Sequence, residues 1–233
     1  MTEALQLVDD LRRRVITWER ENWTPYPWRL DRTPYKVLIA EILLKRTTRQ
    51  AVARVFPQFM TKFPDIKDIY RSPVEEIEKA LTPLGLYRQR ALQLKRLAQV
   101  IVEKHQGRIP DSWEGLVRLP GVGPYVAGAV LSFGYGKRAP AVDSNVLRLL
   151  GRLADVKPRN YSEALRILWR LVPERDHELF NYGMIDLGAV VCHYRYPKCG
   201  SCPLYDICIA ATKTQNSSKA DDLRKKYNYL VTS

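Results

Sequence analysis

All four cysteines of this chain fall between residues 192 and 208, and no other thiol precedes them. Cysteines confined to so short a segment indicate one centre with four thiolate ligands, and they constrain how that segment can fold. Two disulfides, a structural zinc ion and an iron–sulfur cluster are the candidates. The four residues are Cys192, Cys199, Cys202 and Cys208, with the spacing C-x6-C-x2-C-x5-C.

The size of the chain and the cysteine spacing separate these candidates. A chain of 27.0 kDa without a signal peptide can bury a core without the help of disulfides. Structural zinc sites usually combine two C-x2-C pairs, and here only Cys199 and Cys202 form such a pair. One compact run of thiolates suits a [4Fe–4S] cluster better, so the spacing favours the cluster and leaves zinc as the alternative.

The chain is strongly basic, with 38 Lys and Arg residues against 25 Asp and Glu residues and a net charge of +13. This excess predicts a polyanionic partner, most often nucleic acid, although a generic cationic surface would give the same count. No apolar run approaches the roughly 20 residues that cross a bilayer, so we expect no membrane association. Thiols outside disulfides fit a reducing, cytoplasmic compartment.

Helical periodicity dominates the chain, and no segment alternates with the period of a strand, so the predicted fold class is all-α. Residues 4–22 form an amphipathic pattern, whereas residues 23–34 hold three prolines and two tryptophans and are predicted to be a loop. Residues 210–233 are polar and charged and are predicted to be an appendage. Further helices are predicted at 35–44, between that helix and residue 63, and after an N-cap at residue 72. Others are predicted at 86–106, 112–118, 124–133, 144–153, 162–171 and 177–191.

The segment Leu119-Pro120-Gly121-Val122-Gly123 lies between two predicted helices. Two glycines around one apolar residue predict a tight hairpin, with Val122 inserted into the core and backbone N–H groups at the start of the next helix facing an anion. A DNA phosphate, bound without reading the sequence, is the natural ligand. An ordinary helix–helix turn is the alternative, and the basic chain and the four-cysteine site favour the phosphate.

Four motifs accompany the cysteines in a fixed order along the chain. Together they resemble the helix-hairpin-helix DNA glycosylases related to endonuclease III and the MutY-type adenine glycosylases, over nearly the whole chain. In that family the cysteine spacing is the signature of a [4Fe–4S] cluster. The motifs are PYKVLIAEILLKRTT at 34–48, LPGVGPYVAGAV at 119–130, AVDSNVLRLLGR at 141–152 and MIDLGAVVC at 184–192.

The resemblance implies two helical lobes with a central DNA-binding cleft. A six-helix barrel with the helix-hairpin-helix would span residues 27–137, and residues 1–26 and 138–209 would form the cluster lobe, with a polar tail at 210–233. It also implies a monomer that binds double-stranded DNA containing mismatched or deaminated bases in the cytoplasm, in association with the nucleoid.

The resemblance assigns catalytic roles to three side chains. Asp143, also a good N-cap for the helix that follows it, would stabilise positive charge on the sugar and orient the attacking water. Tyr125 stands where bifunctional members carry a lysine, and because a phenol forms no imine, base release without β-lyase cleavage is predicted. Glu41, in an apolar helical run, would protonate or hydrogen-bond the departing base.

The residues around the motifs indicate which base is removed. The segment LLKRTT and the tyrosine at position 125 resemble the corresponding residues of the Mig-type mismatch glycosylases of thermophilic archaea. Those enzymes release thymine or uracil opposite guanine. Lys45 and Arg46 would then fill the vacated space and contact the guanine, and Arg195 and Lys198 in the cysteine loop would contact DNA. An adenine glycosylase and a catalytically silent damage-binding protein are the alternatives. Against the first stand Tyr125, the Lys45-Arg46 pair and a chain too short for the extra C-terminal domain of adenine glycosylases.

Overall fold

The structure, a computed structural model, describes residues 2–156, 161–213 and 217–232. These residues are helical almost throughout and contain no strand, so the predicted all-α fold class is confirmed. No helix in the described part is both long enough and apolar enough to span a membrane. The α-helices are α1 (Thr2–Asn22), α2 (Pro27–Leu30), α3 (Pro34–Leu44), α4 (Arg49–Lys62), α5 (Ile66–Arg71), α6 (Val74–Leu81), α7 (Tyr87–His105), α8 (Trp113–Val117), α9 (Pro124–Ala129), α10 (Ser144–Ala154), α11 (Tyr161–Leu171), α12 (His177–Asp186), α13 (Ile209–Thr212) and α14 (Ser217–Thr232).

The chain divides into two compact units, and each is described by itself. The hairpin unit comprises Thr24–Lys137, and the cysteine unit comprises Met1–Trp23 together with Arg138–Ser233. The hairpin segment lies in the first unit, and all four cysteines lie in the second.

Helix α3 is the centre of the hairpin unit. It begins at Thr33, whose hydroxyl accepts a hydrogen bond from the N–H of Lys36 at 3.2 Å, and Pro34 supplies the first residue with a preset φ. Every residue from Val37 to Leu43 is buried, and the helix packs against α4, α9 and a π-helical segment at Val130–Gly134. Helix α7 packs against α5 and α6 and carries side chains that reach the ends of its neighbours.

In the cysteine unit the long helix α1 packs along α12. The two backbones approach closely at Gly183, where an added Cβ would lie 2.7 Å from Cγ1 of Val15. Helix α10 packs against α12 and α13, and a π-helical turn at Leu187–Val191 leads directly into Cys192. The first cysteine is thus fixed at the end of a packed helix rather than in a free loop.

The segment after residue 209 differs from its prediction as a polar appendage. In its described part, α14 packs against α13 and α1, and Ala220, Leu223 and Tyr227 are each 5% exposed or less. These three residues are spaced by three and four positions, so they share one face of the helix. The average polarity of the segment conceals this apolar stripe, which the cysteine unit buries.

Several helix boundaries also differ from the sequence predictions. The proline-rich stretch at 23–34 contains the short helix α2, because Pro27 is accommodated at its first position. Ser72 ends α5 and does not begin α6, whose N-cap is Pro73. The helices predicted at 124–133 and 177–191 each change from α to π geometry before they end.

Candidate functional site

Asp143 is the N-cap of α10, as its position in the sequence predicts. One carboxylate oxygen accepts a hydrogen bond from the N–H of Val146 at 2.8 Å, and the other accepts one from Nδ2 of Asn145 at 2.7 Å. The side chain is only partly buried. The two hydrogen bonds fix the orientation of a carboxylate that still reaches the surface of the cysteine unit.

Asn145 is held in turn by a side chain that the sequence analysis did not single out. Nη2 of Arg148 donates to Oδ1 of Asn145 at 2.9 Å, and Nε of the same guanidinium donates to the carbonyl of Cys192 at 2.9 Å. Gly188 permits this approach, since a Cβ there would lie 2.7 Å from Cβ of Asn145. The spacing of Asn145 and Arg148, three residues apart on one helix, was the available signal. A continuous chain of hydrogen bonds thus joins Asp143 to the first cysteine.

The structure brings all four predicted cysteine ligands to one cavity, with a volume of about 150 Å³. Its other walls are largely apolar, and burial raises the pKa of Cys202 to about 11 and raises the pKa of Cys208 as well. Within the described residues, no group of three or more His, Cys, Asp or Glu side chains converges closely enough to hold a metal ion. The four cysteines therefore share one cavity.

Three contacts fix the cysteine loop to the rest of its unit. Arg152 lies with Nη1 3.3 Å from Sγ of Cys192 and donates to the carbonyls of His193 and Tyr194 at 2.6 and 2.7 Å. Arg14 of α1 binds the carboxylate of Asp206. The hydroxyl of Tyr227 in α14 donates to the carbonyl of Ile207 at 3.0 Å. Arg195 and Lys198, the predicted DNA contacts of this loop, are exposed.

In the hairpin unit, Glu41 is 5% exposed and lies in α3 between the fully buried Ala40 and Ile42. Four residues later, the helix ends at Lys45, whose charge interacts with that of Glu41. Desolvation of its ammonium group lowers the pKa of Lys45, the carboxylate of Glu41 opposes this shift, and the nearby charge of Arg90 reinforces it. A buried carboxylate is costly away from water, which marks Glu41 as a candidate functional group.

The structure brings the predicted Lys45-Arg46 pair next to the predicted hairpin. The ammonium of Lys45 donates a hydrogen bond to the carbonyl of Gly121. Arg46 has a φ of 56°, in the left-handed region that a non-glycine residue rarely adopts, and its side chain is exposed. The turn after α3 and the hairpin therefore form one continuous surface of the hairpin unit.

The hairpin itself has its apolar side chains inside. Leu119 and Val122 are 3% and 5% exposed, and the N–H of Val122 closes the turn on the carbonyl of Leu119 at 3.1 Å. Gly121 has a φ of 78°, and a Cβ there would lie 2.0 Å from Nε2 of Gln93, so only glycine fits. Any DNA contact at Leu119 and Val122 must therefore come from the backbone.

The first turn of α9 and the start of α7 also expose side chains in this unit. Gly123 is the N-cap of α9 and leads into Tyr125, in the first turn of that helix, with a partly exposed side chain. Leu86, an exposed leucine (46%) with a φ of 60° at the start of α7, was not among the residues predicted from the sequence. The signal available for it was the glycine that precedes it, because Gly85 and Leu86 interrupt the helical pattern.

Comparisons with known proteins agree on one family. Residues 39–174 match the family described as HhH-GPD superfamily base excision DNA repair protein. A thymine/uracil-DNA glycosylase of Methanothermobacter thermautotrophicus is 37% identical over 198 residues, which is 83% of this chain and 90% of that protein. A thymine-DNA glycosylase of Aeropyrum pernix is 40% identical over 212 residues, or 87% of this chain and 94% of that protein. The solved structure of a thermostable thymine-DNA glycosylase superposes with a TM-score of 0.85 at 34% identity, covering 89% of this chain and 98% of the other.

Proposed function

The chain belongs to the HhH-GPD superfamily of base excision DNA repair proteins, and we propose that it is a monofunctional DNA glycosylase acting on thymine or uracil opposite guanine. The observation that carries this proposal is the carboxylate of Asp143, held by two hydrogen bonds and still accessible to a substrate. The names and the extent of similarity of the relatives support the choice of base. Its substrate is double-stranded DNA, which the net charge of +13 suits.

Hydrolysis of the N-glycosidic bond needs a negative group beside the sugar. As the base departs with the bonding electrons, positive charge develops on C1′ and the ring oxygen, and the Asp143 carboxylate stabilises that charge and orients the water that attacks C1′. The hydrogen bond from Asn145 orients one carboxylate oxygen, and the hydrogen bond from the N–H of Val146 in α10 orients the other. The product is an abasic site on an intact strand.

Tyr125 in the first turn of α9 supports release of the base without strand cleavage. Bifunctional action requires an amine that attacks C1′ and forms an imine, and a phenol has no nitrogen for this step. Glu41, buried on α3, gives the departing base a proton or a hydrogen bond. Lys45 and Arg46 fill the space that the flipped nucleotide leaves and contact the opposite guanine.

The proposed DNA contacts lie in both units. In the hairpin, the amides of Gly121 and Gly123 donate no hydrogen bond to any described residue, so they are available to a phosphate. In the cysteine loop, the exposed Arg195 and Lys198 supply positive charge for the DNA backbone. These contacts position the duplex and carry no sequence preference of their own.

The cysteines fit a [4Fe–4S] cluster better than a single zinc ion. The four side chains line one cavity of about 150 Å³, and the single C-x2-C pair in their spacing supports the cluster over zinc. Cys192, Cys199, Cys202 and Cys208 would each ligate one iron, and Nη1 of Arg152, 3.3 Å from Sγ of Cys192, would place a positive charge beside the cluster. The cluster would fix the loop that presents Arg195 and Lys198.

A base-release assay tests the proposed function. Duplexes containing G·T, G·U, G·A and G·C pairs are incubated with the purified protein and then analysed with and without hot alkali, which cleaves abasic sites. We expect cleavage of the thymine and uracil strands only after alkali. Release of adenine from G·A would indicate an adenine glycosylase instead, and binding without release from any duplex would indicate a damage-binding protein.

A further inference from the structure

Arg90 of α7 is a buried cation whose partners are nearly all carbonyl groups. The residue is 5% exposed, and its Nη1 donates to the carbonyls of Ile42 and Leu43 at 2.9 and 3.0 Å. These carbonyls belong to the last turn of α3, where a helix has no partners of its own for them and carries partial negative charge. Among the described residues, no carboxylate pairs with this guanidinium. The end of α3 compensates the buried charge.

The same guanidinium binds the residues on both sides of Arg46, whose backbone is strained. Its Nη2 donates to the carbonyl of Lys45 at 2.5 Å and to the hydroxyl of Thr47, the residues on either side. A non-glycine residue at a φ of 56° persists only where its surroundings hold it. The buried guanidinium of Arg90 stabilises this backbone conformation through its hydrogen bonds, while the side chain of Arg46 stays exposed.

Helix α7 also reaches the two segments next to this turn. Nε of Arg90 donates to the carbonyl of Gly85 at 2.9 Å, just before the exposed Leu86. One turn further along α7, the amide group of Gln93 packs against Gly121, whose carbonyl accepts from Lys45. One helix face therefore fixes the turn after α3, the turn before α7 and the hairpin together.

We propose that Arg90 is a positioning residue for recognition of the base opposite the excised one. By holding the Leu44–Thr47 turn, its guanidinium presents Lys45 and Arg46 in one conformation, and this sets the preference for guanine. The inference rests on the proposed function, which assigns the guanine contact to Lys45 and Arg46. It adds a buried residue that touches no DNA and acts through the turn.

A purely structural role for Arg90 makes a different prediction, and Lys95 provides the matched control. Lys95 lies on the same helix and performs the same task at the end of α5, where its ammonium donates to the carbonyls of Tyr70 and Ser72. It makes no contact with the turn after α3. If capping helix ends were all that mattered, disrupting the hydrogen bonds of either side chain would have the same consequences.

The experiment compares Arg90→Lys, Thr47→Val and Lys95→Met with the wild type. Single-turnover excision of uracil is measured opposite guanine and opposite adenine, together with the thermal unfolding of each variant. We expect Arg90→Lys and Thr47→Val to reduce the guanine-over-adenine rate ratio about tenfold, because a displaced turn loses the base contact. Lys95→Met lowers the unfolding temperature and keeps the ratio within about twofold of the wild type.

The remaining outcomes distinguish failure of the inference from failure of the proposed function. A wild-type preference for guanine that Arg90→Lys leaves unchanged, or changes no more than Lys95→Met does, overturns the inference alone. If Arg90→Lys shows no cooperative unfolding, Thr47→Val decides, since it removes one acceptor of Arg90 at a partly exposed position. A wild type that releases uracil from neither duplex contradicts the proposed function, and the inference falls with it.

Discussion

At the scale of single residues, the two functions of Asp143 as cap and as catalyst can be separated by substitution. Asparagine is as good an N-cap as aspartate, so Asp143→Asn should keep the hydrogen bond from Val146 and lose the one from Asn145, at a cost of about 1 kcal/mol in stability. The amide cannot stabilise the developing charge on the sugar, and we expect the excision rate to fall by about a factor of 10³. Single-turnover kinetics and thermal unfolding of the same sample measure both effects.

Asp65 supplies the control for this substitution. It is the N-cap of α5 and accepts a hydrogen bond from the N–H of Lys67 at 2.8 Å. Asp65→Asn should change neither the excision rate nor the stability appreciably. Full activity of Asp143→Asn would mean that this carboxylate is only a cap.

Tyr125 permits a test that adds an activity. Tyr125→Lys places an amine at this position of α9, where it can attack C1′ and form an imine as the base leaves. We expect borohydride to trap a covalent protein–DNA adduct, visible as a band of reduced mobility in a denaturing gel. Tyr125→Phe is the control and should give none. No adduct from the lysine variant would show that residue 125 does not face the sugar.

Individual residues differ in how well the sequence predicts their roles. Asp143 and the cysteines could be named from the sequence because a motif or a spacing singles them out. Arg90 has no such signal, since arginine in a long helix is ordinarily exposed to solvent. Its long-range hydrogen bonds go to carbonyls that lie 45 to 48 positions away in sequence and to the Thr47 hydroxyl, 43 positions away. Such long-range contacts leave no local pattern.

At the scale of elements, periodicity predicted the long helices and average polarity concealed the last one. The residues that bury α14 are few and widely spaced, and composition over the whole segment outweighs them. The change from α to π geometry in the helix before Cys192 was equally hidden, because it depends on backbone hydrogen bonds between residues five apart, such as that from the N–H of Cys192 to the carbonyl of Leu187 at 2.7 Å. Propensities do not distinguish these two helix types.

Helix α14 should affect how firmly the cysteine loop holds a cluster. Tyr227→Phe removes the hydrogen bond to the carbonyl of Ile207, which is adjacent to Cys208, and keeps the buried ring. A lost hydrogen bond of about 1 kcal/mol should speed release of iron to a chelator several-fold, as followed by visible absorbance and iron content. Tyr70→Phe, in the hairpin unit, is the control and should not change the rate. Equal rates for all three proteins would contradict a role for α14 in holding the loop.

At the scale of the whole molecule, the net charge of +13 predicts binding to DNA of any sequence. Binding that neutralises phosphates releases counterions, so the logarithm of the affinity should fall linearly with the logarithm of the salt concentration. The sequence predicts this behaviour from composition alone. It does not reveal which cations are already neutralised within the protein, as Lys226 is by Glu3 and Asp222.

This distinction gives a prediction for Arg195 and Lys226. Arg195 is exposed in the cysteine loop and forms no ion pair with the described residues, so its charge is available to a phosphate. We expect Arg195→Ala to reduce the slope of the salt dependence by about 1, and equally for matched and mismatched duplexes, because a phosphate contact carries no sequence information. Lys226→Ala removes the same charge from the total and should leave the slope unchanged. Fluorescence anisotropy over a range of salt concentrations measures both slopes, and equal changes in the two variants would mean that net charge, and not its position in the cysteine loop, determines the affinity.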